Sequence, residues 1–118
     1  MSGAVNLQHK LGTFTECFSP RTIATYNGHD VMVAKLEGEF IWHKHDNTDD
    51  FFLLIKGELD IELRDRTVTL QPGELFIVPR HVEHRPVARK GEVQILLIEP
   101  TGTPNTGDAA TAAPRKLV

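Results

Sequence analysis

From Thr22 onward, hydrophobic residues occur in short runs that are rich in β-branched and aromatic side chains, and turn-forming residues separate these runs. Each run predicts a β-strand. The predicted strands are residues 23–26, 31–37, 39–45, 51–56, 58–64, 67–70, 75–78, 83–88 and 93–99. The separators include Asn27-Gly28 and Pro72-Gly73, which are recognised turn formers. This pattern predicts an all-β domain, either a sandwich or a barrel.

The two ends of the chain follow a different pattern. Residues 6–14 can form a helical turn or two, and Gly12 limits their length. Small residues, threonine and proline dominate residues 101–118, which carry too little apolar surface to offset the entropy of ordering. We therefore predict an N-terminal segment over residues 1–21, a β-domain over residues 22–100 and an extended C-terminal tail over residues 101–118. The alternative for this tail is that it becomes ordered across a neighbouring subunit.

Length and composition exclude several classes of function. A chain of 118 residues provides a single domain, and its net charge of −3, with scattered basic residues, gives no face for nucleic acid. The single cysteine, Cys17, cannot form an internal disulfide and is interpreted as a small buried hydrophobe rather than a catalytic thiol. No apolar run reaches the length of a membrane span, and the N-terminus lacks a secretory core. We expect a soluble cytoplasmic protein.

The segment FIWHKHDNTDDF, residues 40–51, holds the candidate chemistry. Alternate residues of a strand share a face, so Ile41, His43 and His45 are predicted to point to one side. A further histidine, His84, lies on a separate predicted strand. Three imidazoles with a carboxylate suit Fe, Mn, Zn, Ni or Cu better than Ca or Mg. Among six histidines, however, one such pair can also arise without a metal, so periodicity alone leaves both interpretations open.

The residues around the pair have a recognisable spacing. Gly38 precedes His43 and His45, Asp50 follows them, and six residues then separate Asp50 from Gly57. This order resembles the first motif of the cupin family, which reads Gly, a short gap, His-x-His, three or four residues, Glu, six residues, Gly.

A second group of residues resembles the other cupin motif, which reads Gly, five residues, Pro-x-Gly, two residues, His. Here Gly73 is followed by five residues, Pro79, Arg80, His81, two residues and His84. The resemblance implies a small single-domain jelly-roll β-barrel over about residues 22–100. It also implies a metal held by His43, His45, Asp50 and His84.

Two positions depart from the family pattern. Asp50 stands where the family usually has glutamate, and its shorter reach leaves open whether it contacts the metal directly or through water. Asp49 is a less favoured alternative, because it faces the other side of a strand. His81 replaces the glycine of the second motif. We interpret His81 as a solvent-facing turn residue, and an additional metal ligand or a general base is the alternative.

The resemblance does not select a reaction, since cupins include dioxygenases, isomerases, lyases and pure binding domains. We expect a metal-dependent enzyme, with Fe, Mn, Zn or Ni, that acts on a small oxygenated substrate such as a sugar derivative, a hydroxy or keto acid or a catechol. A non-catalytic binding module or sensor is the alternative, and no catalytic residue is assigned. Similar small cupins are grouped with mannose-6-phosphate isomerase, although no phosphate-binding cluster is evident. Small cupins commonly form homodimers, so we expect one here.

Overall fold

The computed structural model describes residues 3–118, which form one short helix and eight strands. These elements are α1 (Leu7–Leu11), β1 (Arg21–Tyr26), β2 (His29–Glu39), β3 (Asp50–Lys56), β4 (Leu59–Leu63), β5 (Thr67–Leu70), β6 (Leu75–Val78), β7 (His84–Pro100) and β8 (Lys116–Leu117). The prediction of an all-β jelly roll with one N-terminal helical turn is confirmed. Asn6 caps α1 by accepting a hydrogen bond from the backbone of His9, and Gly12 ends the helix.

The longest strand, β7, organises the sheet. It pairs with β2 along one edge, while on its other edge the first part pairs with β4 and the second part with β3. Strand β5 extends the sheet beyond β4, and β6 extends it beyond β3. Because β4 and β3 share one edge of a single strand, the sheet folds over and encloses an interior.

Alternation of side chains along these strands fills that interior. On β7, Val93, Ile95 and Leu97 are buried, while the residues between them are only partly buried. Leu54 on β3 and Ile61 on β4, the two strands that pair with the other edge of β7, belong to the same core cluster. Burial of such aliphatic side chains contributes about 1.5–3 kcal/mol each, so the strand pattern is also the main source of stability.

The predicted strand pattern differs from the structure mainly at two places. Residues 84–88 and 93–99 belong to one strand, because the predicted turn between them is a bulge in which residues 89–92 lie opposite residue 37 alone. Residues 40–49 form no regular strand, and β2 ends at Glu39. Within that segment only an isolated bridge joins His43 to His84.

The C-terminal segment lies against the same chain. Strand β8 pairs in parallel with β1, and the Arg115 guanidinium donates two hydrogen bonds to the buried Asp30 carboxylate, at 2.7 and 3.0 Å. Asn105 donates to the carbonyl of Phe18 at 3.2 Å. Residues 101–115 are otherwise turns and bends, so their course is fixed by these few contacts. Within residues 3–118, the single helix has five residues and is far too short to cross a membrane.

Gly57 provides a test of the packing around β7. Its φ is +95°, and a Cβ atom there would lie 2.6 Å from Cγ1 of the buried Val93. Gly57→Ala is expected to lose about 1–3 kcal/mol through its backbone conformation and a further 1–3 kcal/mol through overpacking. The control is Gly91→Ala, which has a φ of +105° but open space around the new methyl group. Denaturant unfolding of both variants measures the difference, and equal losses would contradict the proposed contact with Val93.

Candidate metal centre

A pair of backbone hydrogen bonds joins the two histidine-bearing segments. The N–H of His43 donates to the carbonyl of His84 at 3.0 Å, and the N–H of His84 donates to the carbonyl of His43 at 2.9 Å. Further along, Phe40 donates to Pro86, and His81 donates to the carbonyl of His45. Segment 40–45 is thus held beside the start of β7 without forming a regular strand, and both histidines face the interior.

Aromatic contacts also hold this segment, on its cavity side and on its outer side. Phe40 stacks on Phe18 with ring centroids 4.9 Å apart. The ring of Trp42 lies 3.8 Å from the guanidinium of Arg64 and 5.4 Å from that of Arg85, as cation–π contacts require. Ile41 does not share the buried side with the histidines as predicted but is 50% exposed, because this irregular segment does not alternate like a strand.

Hydrogen bonds to backbone carbonyls orient two of the imidazoles. Nδ1 of His43 lies 2.9 Å from the carbonyl oxygen of Ile41, and Nδ1 of His84 lies 2.9 Å from that of Val82. A carbonyl oxygen can only accept, so both Nδ1 atoms carry the proton. In the neutral imidazoles Nε2 therefore holds the lone pair, which is the arrangement found in most metal-ligating histidines.

The Asp50 carboxylate lies where the imidazoles converge. Its Oδ2 atom is 2.8 Å from Nε2 of His84, 3.3 Å from Nε2 of His45 and 4.0 Å from Nε2 of His43. All four side chains are buried, and one ligand atom from each lies within 4.8 Å of the others. The structure thus brings together the four residues that the sequence predicted as ligands. This His-His-Asp-His group could bind a metal ion.

Asp50 reaches the group because of where β3 begins. It is the first residue of that strand and pairs with Val78 on β6, so its Cα is held close to the imidazoles. Asp49 instead is exposed, and its carboxylate accepts a hydrogen bond from the backbone N–H of Arg80 at 3.0 Å. Asp49 therefore does not replace Asp50.

His81 lies in a turn outside the group. Its φ of +72° is the left-handed conformation that the glycine of the motif would adopt without strain. The side chain is 63% exposed, and its Nδ1 is 3.0 Å from Oδ1 of Asp46. His81 thus occupies the solvent-facing turn that the sequence favoured, and it is not one of the four clustered residues.

Burial and mutual contact shape the charges of the group. Burial lowers the pKa of His43 to about 4, because the imidazolium would lose its hydration. For Asp50 burial favours the neutral acid, but hydrogen bonds from His45 and His84 outweigh it and lower the pKa to about 2. At neutral pH the group therefore combines a carboxylate with an imidazole that stays neutral, which are the protonation states that a metal needs in its ligands.

Three cavities adjoin this part of the barrel. A narrow one of about 40 Å³ is lined by His43, Asp50 and apolar side chains, and one of about 260 Å³ touches His45. The largest, about 380 Å³, lies between the sheet and residues 102–115. Pro20 and Asn105 line both the largest and the narrowest cavity, so these two share a wall.

Sequence reasoning did not single out Glu99, which is buried beside the largest cavity. It was one of several glutamates on predicted strands, and two others, Glu37 and Glu83, are exposed. Burial and the charges of Asp50 and Asp30 raise the pKa of Glu99 to about 8. The available signal was the alternation of Val93, Ile95 and Leu97, which continues to residue 99.

Comparisons with known proteins agree with this fold. A family model described as "Cupin domain" matches residues 29–99. A cupin-2 domain containing protein from Shewanella frigidimarina is 42% identical in sequence; the match covers 82% of this chain and 94% of that one, with a TM-score of 0.80. Protein NMB1881 from Neisseria meningitidis is 28% identical, with coverage of 84% and 100% and a TM-score of 0.75.

A further similar protein was matched by its amino-acid sequence alone. The uncharacterized protein YdbB of Bacillus subtilis is 34% identical over 65 residues, which is 54% of this chain. The match spans 58% of the length of that relative.

The buried imidazole of His43 predicts a pH dependence of stability in the metal-free protein. Its pKa is about 4 when folded, against an ordinary value of 6.5, so the unfolded chain takes up the proton first as the pH falls. The free energy of unfolding should therefore decline between pH 6.5 and 4, by up to about 1.4 kcal/mol per pH unit from this group. Asp50 adds its own loss only below its ordinary pKa of 3.8, as the pH falls towards 2.

Urea unfolding after dialysis against a chelator measures this slope. His43→Gln should flatten it, whereas His9→Gln, on the exposed side of α1, should leave it unchanged. An identical slope in the His43 variant would contradict the assignment.

Proposed function

Since the chain belongs to the cupin family, we propose that it is a metal-dependent enzyme that acts on a small oxygenated substrate. The observation that carries this proposal is the buried group of three imidazoles and one carboxylate at the wall of an interior cavity. Substrates of this class are a sugar derivative, a hydroxy or keto acid, or a catechol, and the reaction is of the isomerase, dioxygenase or lyase type.

The four clustered residues would hold the metal. Their donor set, imidazole nitrogen with one carboxylate oxygen, fits Fe, Mn, Zn or Ni. A bound divalent ion would supply Lewis acidity towards substrate oxygens. The protein's own part is to keep the Nε2 lone pairs aimed inward, through the carbonyls of Ile41 and Val82, and to surround the site with apolar walls. Phe52, Leu97 and Pro86 line the narrow cavity beside His43 and limit the entry of water.

A non-catalytic binding module or sensor is the second candidate. It is supported by the hydrogen bonds of the group, which run to backbone carbonyls and between its own members rather than to a further acid or base. A ligand that raises the melting temperature and is recovered unchanged would favour this candidate. Membership of the mannose-6-phosphate isomerase-like group stays a prediction, as does a cytoplasmic location. Phosphate recognition gains no support from Arg115, the arginine that lines the largest cavity, because it is bound by Asp30.

We also propose a homodimer that forms through the outer face of β3 and β6. Leu75 and Ile77 on β6 are 54% and 38% exposed, and they pair directly with Leu53 and Phe51 on β3. Among the described strands β6 pairs with β3 alone, so its other edge is available. A second copy suits this face best, because a two-fold axis can pair two identical edges and cover two identical apolar patches in one contact.

The metal proposal predicts that the purified protein carries about one equivalent of a transition metal. His43→Ala and His84→Ala should each remove most of it, because each takes away an imidazole that faces the shared point. Elemental analysis by mass spectrometry measures the content. His81→Ala is the matched control, since this histidine is exposed and lies outside the group. The proposal would be refuted if the wild-type protein is purified without metal and if, after metal is added back, the His43 and His84 variants bind as much metal as the wild type.

The dimer proposal predicts the mass of two chains in size-exclusion chromatography with light scattering. Ile77→Glu should give a monomer, because it places a charge in the centre of the apolar face. Leu117→Glu is the matched control, since Leu117 is 67% exposed but lies on the C-terminal strand. If Leu117→Glu dissociates the protein while Ile77→Glu does not, the contact belongs to the tail and the proposed face is wrong.

A further inference from the structure

The largest cavity is formed by two parts of the chain. Its floor is the inner face of β1, β2 and the end of β7, and its roof is the segment 102–115. The volume of about 380 Å³ falls in the range of small-molecule sites. Its walls are mostly apolar or small, and Met32, Pro104 and Ala112 are among them. Such a chamber suits a short carbon skeleton.

The polar side chains of this chamber, with one exception, already have partners. Asp30 accepts hydrogen bonds from Arg115, Thr101 and Thr22. The amide of Asn105 donates to one backbone carbonyl and accepts from the N–H of Ala113. The hydrogen bonds of these side chains therefore belong to the structure of the chamber and do not require a ligand.

Glu99 is the exception. Only 8% of this residue is exposed, and no hydrogen bond joins its carboxyl group to another residue among 3–118, so its oxygens open onto the chamber that it lines rather than being enclosed by protein. Burial disfavours the ionised form of a carboxyl group that has no partner, so Glu99 is stabilised as a carboxylate only where a ligand supplies a positive charge or a hydrogen-bond donor. The unmatched polar group of the chamber is therefore an acid.

The charges on both sides of Glu99 indicate which charge a ligand of this chamber would carry. Glu99 pairs directly with Asp30 across β2 and β7. The register of β3 with β7 pairs Leu53 with Leu96 and Leu54 with Ile95, and its continuation brings Asp50 level with Glu99. These two carboxylates, together with burial, raise the pKa of Glu99. A field that opposes a negative charge on Glu99 favours a positive charge beside it.

We infer that this chamber binds a small organic amine in its protonated form, with the Glu99 carboxylate as the partner of the ammonium group. The apolar walls around Met32 and Ala112 would enclose the carbon skeleton. The shared wall at Pro20 and Asn105 places the chamber next to the cavity of the metal group. The inference rests on the proposed function only in making the amine one end of the substrate, because the binding itself needs no metal.

A series of ligands with the same carbon chain tests this inference. Butylammonium, butanol and butyrate are titrated into full-length protein at pH 7, in metal-free and metal-loaded forms, and the amide signals of residues 109–113 are followed by NMR. Butylammonium should bind at least about tenfold more tightly than butanol, since a charge-assisted hydrogen bond contributes about 1.5–3 kcal/mol. Butyrate should bind most weakly, because it cannot form an ion pair with Glu99 and the carboxylates of Asp50 and Asp30 repel its charge.

Glu99→Gln isolates the carboxylate, since it keeps the shape and removes the charge. It should reduce butylammonium affinity about tenfold or more while leaving butanol unchanged. Glu37→Gln, on the exposed side of β2, is the control and should bind like wild type. Equal affinity for butylammonium and butanol in the wild type, or full butylammonium affinity in Glu99→Gln, would overturn the inference. Metal content, measured on the same samples, tests the proposed metal site separately, because its result does not depend on whether the amine binds.

Discussion

The buried charge of Asp50 is the constraint on which the interior of the barrel depends. A carboxylate removed from water needs hydrogen-bond donors or a cation close by, or else it takes up a proton. Here Nε2 of His84 lies 2.8 Å from Oδ2 and Nε2 of His45 lies 3.3 Å from it. Without a cation, an Nε2 atom must carry a proton to satisfy the carboxylate. His45 can supply it as a neutral imidazole, whereas His84, whose Nδ1 already donates to a carbonyl, can supply it only as the imidazolium. A bound metal ion would take the place of these protons, because it accepts the lone pairs of the imidazoles and the charge of the carboxylate together.

The architecture follows from holding these groups at one point. Because β7 is shared by three neighbouring strands, its first residue, His84, lies close to both the start of β3 and the irregular segment 40–49. That segment leaves the sheet after Glu39 and returns at Asp50, and the two hydrogen bonds between His43 and His84 anchor it midway. Regular pairing would have spread the histidines along a strand face. The broken pairing instead lets them surround the carboxylate.

Much of this arrangement could be predicted from the sequence, and the exceptions share one physical cause. Short β-branched runs and turn residues predict the strands, because these signals are local. The spacing of His43, His45, Asp50 and His84 predicts a cluster by resemblance. The bulge at residues 89–92 and the exposure of Ile41 depend on which strand lies alongside, and a sequence window does not contain that information. The composition of the last eighteen residues predicts an extended tail, but it does not predict that the bidentate pair of Arg115 with Asp30 holds this tail against the barrel.

The carboxyl groups of Asp30, Asp50 and Glu99 lie at one level of the barrel, and they differ in the groups that neutralise them or donate hydrogen bonds to them. Asp30 is neutralised by the arginine that the C-terminal segment supplies. Asp50 has the imidazoles, which lower its pKa despite burial. Glu99 lies between them, has neither kind of partner, and its pKa is raised to about 8. If burial alone determined these pKa values, all three acids would be raised, so the partners are decisive. Asp30 and Glu99 both line the open volume, and Glu99 is the one of the two whose carboxyl group has no partner among the described residues.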